Sequence, residues 1–83
     1  MHYQRFGTYA YRIRLHNGKI AILKYAQIKA SAIGDTEADK RMAGRTFIRE
    51  KLIEQLGEHF ERAFRECDFD LATGIPTLVM VTA

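Results

Sequence analysis

The residues predict an α+β fold of order β-β-α-β. A three-stranded sheet, made of a β-hairpin and a C-terminal strand, carries one long helix on one face. Three observations lead there. Asn17-Gly18 lies between two segments of alternating side chains. Apolar residues at helical spacing run from Ile48 to Cys67. Residues 77–82 are β-rich and apolar at all but their ends. The 83 residues make a single small domain. A chain this short hides only about 60% of its unfolded surface, so its core is thin.

The hairpin is expected over residues 8–28. Asn and Gly both tolerate the positive φ of a two-residue type I′ turn. Counting back from that turn pairs Leu15 with Ile20, Ile13 with Ile22 and Tyr11 with Lys24 on the core face. The other face pairs His16 with Lys19, Arg14 with Ala21, Arg12 with Leu23 and Ala10 with Tyr25. It is basic near the turn and apolar near Leu23 and Tyr25. Residues 3–6 either extend the first strand or are set off from it by a bulge at Gly7.

Asp35 or Thr36 is the expected N-cap of the helix, with Glu37 and Asp39 in its first turn. At 100° per residue, Ile48, Leu52, Ile53, Leu56, Phe60, Ala63, Phe64 and Cys67 share one arc, opposite Glu54, Glu58, Glu61, Arg62 and Arg65. Leu52, Leu56 and Phe60 are the expected core. Arg45 and Arg49 project into the arc and Phe47 out of it. A helix from 36 to 66 would span ~46 Å, against roughly 30 Å for a domain of this size. A break at Gly44 is therefore expected, giving helices 36–43 and 46–66.

Gly74-Ile75-Pro76 turns the chain into the last strand. Apolar side chains on both faces of 77–82 imply that both are covered. The outer sheet face is thus expected to join Leu23 and Tyr25 to Leu78/Met80 or Val79/Val81. With an unpaired strand edge, and a helix that would overhang its domain if it did not break at Gly44, these features predict a homodimer.

Composition narrows the function. Hydrophobic residues are 47% and charged residues 28%, too apolar a mix for disorder. Cys67 is the one cysteine, so no internal disulfide forms, which fits a cytoplasmic setting. No apolar run approaches ~18 residues, and no signal peptide or membrane span is expected. Residues 1–34 carry six bases and no acid, whereas residues 52–83 carry two bases and six acids. Such asymmetry suggests a basic surface facing something acidic. Mutual neutralisation of the two halves, within one chain or across a dimer, would account for it equally.

No catalytic or metal constellation emerges. His2, His16, His59 and Cys67 include no pair at i,i+3 or i,i+4. Cys67 sits between Glu66 and Asp68, which oppose a thiolate. Ser31 is the only serine and lies in no nucleophile elbow. Glu66, Asp68 and Asp70 form an acidic turn without a cleft, and the six glycines are scattered singly. No enzyme, cofactor or metal is expected.

The expected function is that of a protein-binding module. In size and texture the chain is like small phage or mobile-element accessory proteins that dock on a larger bacterial protein and inhibit or redirect it. The expected contact surface is Arg12, Arg14, Lys19, Leu23, Tyr25, Arg45, Phe47 and Arg49, where bases and aromatics combine as in binding hot spots. The partner is expected to present an acidic surface. The alternative is a nucleic-acid-binding module whose basic hairpin enters a groove as a two-stranded ribbon.

Overall fold

The structure, a computed structural model, describes residues 2–6, 9–15, 18–57 and 60–81, with side chains from residue 9 onward except at 61 and 62. Its elements are β1 (His2–Phe6), β2 (Ala10–Arg14), β3 (Ile20–Lys24), α1 (Tyr25–Ser31), α2 (Glu37–Leu56), α3 (Phe60–Ala63), β4 (Phe64–Phe69) and β5 (Pro76–Met80). The α+β class is as expected, but the sheet is assembled differently. β1, β2 and β3 form an antiparallel three-stranded sheet, while β4 and β5 pair separately as a two-stranded one. The C-terminal strand therefore does not join the hairpin; the third strand comes from the N-terminus.

The hairpin register differs from the expected one by a single residue. Ile13 faces Ala21, Tyr11 faces Leu23 and Arg12 faces Ile22. Leu15 N–H donates to the Lys19 carbonyl at 2.9 Å, which leaves three residues in the loop rather than two. Gly18 N–H closes back on the Leu15 carbonyl at 3.0 Å, and Gly18 adopts φ +85°. A three-residue loop with glycine in the left-handed position is the next commonest hairpin connection. His16 and Asn17 lie outside the described residues, as does the expected His16–Lys19 pairing. A slip of one residue turns every side chain of a strand to the other face. Ala21 and Leu23 accordingly enter the core, and Ile20 and Ile22 face outward. The chain leaves the strand at Lys24, not after residue 28. The segment Tyr25–Ser31 is helical and buries Tyr25 and Ile28 one turn apart.

Thr36 caps α2, its hydroxyl accepting from Asp39 N–H at 3.1 Å. The helix then runs unbroken through Gly44 for 20 residues. Gly44 is there for space: a Cβ would run into the Phe69 ring of β4. The expected break at 44 is absent because the ring fills what the side chain leaves. The helix stops instead at Gly57, whose φ is +80°. At ~30 Å, α2 fits within the molecule's longest extent of 39 Å, so no part overhangs.

Past Gly57 the apolar spacing is misleading. Phe64, Cys67 and Phe69 are buried in a strand, although 60, 63, 64 and 67 also suit a helix. The cause is an irregularity between Phe64 and Glu66, where the ladder steps from Phe64–Met80 to Glu66–Val79. The extra residue places buried positions three apart and so imitates a helical period.

One core joins both sheets and α2. Ile13, Leu15, Ala21 and Leu23 meet Ile48, Leu52 and Leu56, which meet Phe64, Cys67, Phe69 and Leu78. Leu52, Leu56 and Phe60 are buried as expected. Phe47 packs half-buried against this core, whereas Arg45 and Arg49 are exposed, the reverse of the expected wheel.

Two substitutions test this architecture. Gly44→Ala should lower the denaturant midpoint, since overpacking costs ~1–3 kcal/mol and a better helix former returns at most ~1 kcal/mol. Gly18→Val should destabilise by at least ~1 kcal/mol, and Gly18→Asn by much less, because asparagine tolerates the left-handed region and valine does not. Thermal melts compare the three chains directly.

Candidate functional site

The outer face of the hairpin combines exposed apolar and basic groups. Cross-strand neighbours Arg14 and Ile20, then Arg12 and Ile22, lie along it, followed by Lys24, whose cross-strand partner Ala10 is buried. Ile22 is 41% exposed. Its backbone is nevertheless fully bonded. Ile22 N–H donates to Gln55 Oε1 at 2.8 Å, and Gln55 Nε2 donates to the Ile22 carbonyl at 2.9 Å. A side-chain amide thus stands where a neighbouring strand would, leaving the isoleucine side chain outward on a fixed backbone.

Beyond Ile22 the face leads into an open groove of ≈ 810 Å³. Tyr9, Ile22, Lys24, Tyr25, Lys29 and Ile75 form much of its wall. Three contacts hold this wall. Tyr25 N–H donates to the Tyr9 carbonyl at 2.8 Å. The Tyr25 ring meets Tyr11 edge-on, with centroids 6.4 Å apart. The backbone at Gly74 lies against the Tyr25 carbonyl, which brings Ile75 beside α1. Tyr9 is 78% exposed. Among the described residues, no acid lines the groove.

The eight expected contact residues do not form one surface. Arg12 and Arg14 lie on the outer hairpin face as expected. Lys19 sits by the turn, with Nζ 3.5 Å from the Leu56 carbonyl at the end of α2. Leu23 is 1% exposed and Tyr25 6%, so neither offers its side chain to a partner as expected. Leu23 is turned inward by the register that the three-residue loop sets, and Tyr25 is the first residue of α1, buried with its ring against Tyr11. Arg45 is exposed but engaged, its Nε donating to the Cys67 carbonyl at 3.1 Å. Phe47 lies about 200° around α2 from both Arg45 and Arg49, turned to the core with Lys51 Nζ 5.7 Å from its ring centroid. Arg49 shares a shallow surface with Arg45 and Met42.

Tyr9, Ile20, Ile22, Lys24, Lys29 and Ile75 were not among the expected contacts. The signal for Ile20, Ile22 and Lys24 was present in His16-Asn17-Gly18, which reads equally as a three-residue loop with glycine last. Ile75 has no such signal, since its place depends on β5 pairing with β4.

Among the described residues, no three His, Cys, Asp or Glu side chains converge as a metal set. No described helix is long and apolar enough to cross a membrane. The Tyr25 hydroxyl is buried and has no hydrogen-bond partner among the described residues. An unbonded hydroxyl contributes desolvation cost without return. Tyr25→Phe should therefore leave the melting temperature unchanged or raise it, as read by circular dichroism.

Comparison with protein-family models, with curated proteins and with solved structures finds no match for this chain.

Proposed function

We propose that this chain is a non-catalytic protein-binding module that docks on an acidic surface of a larger protein through the outer face of its hairpin. A small phage or mobile-element accessory protein that inhibits or redirects a bacterial host protein is the setting we propose. One observation carries the reading. Ile20 and Ile22 stand exposed among Arg12, Arg14 and Lys24, on a sheet region with no acidic side chain. Exposed isoleucines supply apolar area to bury, and the surrounding bases favour acidic partners and speed encounter.

A nucleic-acid partner is less well served. The hairpin is not a free two-stranded ribbon, because β1 extends it to three strands. The isoleucines also occupy positions where a phosphate-binding face would place polar groups. We further propose a homodimer, supported by half-buried Val79 and Met80 on β5 and by exposed Val81 just after it. Light scattering at the mass of one chain would overturn it.

The module is tested by capture from nuclease-treated lysate, followed by affinity measurement with the purified protein it retains. Ile22→Glu should weaken binding at least tenfold, ~1.4 kcal/mol. Arg12→Glu should act mainly on the association rate. Loss of all binding on nuclease treatment, with a log–log salt slope near ~0.9 per phosphate contact, would instead identify nucleic acid as the partner.

A further inference from the structure

We propose that the groove between Tyr9, Ile22 and Ile75 receives an extended segment of the partner protein carrying a large apolar side chain beside carboxylates. This rests on the protein-binding reading and names the chemistry recognised there.

The volume of ≈ 810 Å³ lies within the ~300–1,000 Å³ of clefts that hold ligands. Apolar side chains supply most of the wall, and Tyr9 offers an exposed ring against which another apolar group can pack. Lys24 and Lys29 border this apolar surface. The ion pairs among the described residues involve Arg41 and Lys51 only, so neither groove lysine is neutralised by a described acid. An incoming carboxylate therefore meets ammonium groups with no competing ion pair among the described residues. Specificity follows from the pairing: a purely apolar segment leaves both lysines unmatched, and a basic segment is repelled. The groove is open and continues through Ile22 onto the basic sheet face. That shape lets a chain cross it and go on, whereas a free fatty acid needs its hydrocarbon tail enclosed.

The test uses the whole chain, labelled with ¹⁵N and titrated with a terminally blocked hexapeptide of alternating Glu and Phe. The expected result is saturable amide shift changes at Tyr9, Ile22, Lys24, Lys29 and Ile75. Lys24→Glu with Lys29→Glu should weaken binding at least tenfold while amide positions away from the groove stay unchanged. If that variant fails to fold, Lys24→Gln with Lys29→Gln should still weaken binding about threefold. Shift changes confined to other surfaces would overturn the proposal. So would equal affinity for an alternating Lys-Phe peptide, or binding of laurate but not of the acidic peptide. The two readings fail separately. A protein partner lost on Ile22→Glu but retained at full affinity by both lysine variants would keep the docking face and remove the groove. No protein partner at all, with the acidic peptide unbound, would remove both.

Discussion

Two sheets that never pair with each other are held as one body by a single helix, and the hydrogen bonds that α2 sends to their edges set everything else. Toward the C-terminal end, the Gln55 amide closes on both backbone groups of Ile22. Toward the N-terminal end, Arg41 Nη1 donates to the Phe69 carbonyl and to Asp68 Oδ1, both at 3.2 Å. Arg45, one turn on, donates to the Cys67 carbonyl. An open strand edge is an invitation to unwanted pairing. Here the edges of β3 and β4 are answered by side chains one helix supplies. The apolar stripe Gly44, Ile48, Leu52 and Leu56 lies between those two sets of donors.

This arrangement explains why a helix with a glycine near its middle is not weak there. Phe69 lies where the Gly44 side chain would be, so the position that costs helix propensity is also where helix and sheet come closest. Phe69 is placed by β4, and the backbone of β4 is held by Arg41 and Arg45 of the same helix. Close approach and edge bonding thus reinforce each other, as expected when local and global preferences agree.

The same constraint produces the exposed apolar face proposed for docking. With β3 fixed by Gln55 and Leu23 committed to the core, Ile20 and Ile22 have no inward option. Exposed isoleucines on a rigid, basic sheet face lose little side-chain entropy on binding, since β-branched side chains are already restricted. The groove arises where the sheet gives way to α1 and the turn before β5 comes alongside. It is a product of tertiary meeting rather than of any local motif.

Legible in the residues alone are the α+β class, a hairpin reversing near Gly18, the Thr36 cap, the buried Leu52, Leu56 and Phe60, and the acid-free first 34 residues. Each of these depends on short-range chemistry: a left-handed glycine, a hydroxyl three residues from an amide, a 3.6-residue period. Tertiary structure alone decided the rest. Asn17-Gly18 suits a two-residue turn and a three-residue loop alike, and only burial of Leu23 against α2 chooses the register. That choice moved Leu23 inside and put Ile20 and Ile22 outside. Gly44 reads as a breaker until Phe69 fills its space. Phe64 to Cys67 reads as a continuation of the helix because a bulged strand repeats every three residues at the bulge. The pairing of β5 with β4 rather than with the hairpin is a contest between two available edges. Gln55 closes one of them, since it occupies the Ile22 backbone groups that pairing β5 with β3 would need.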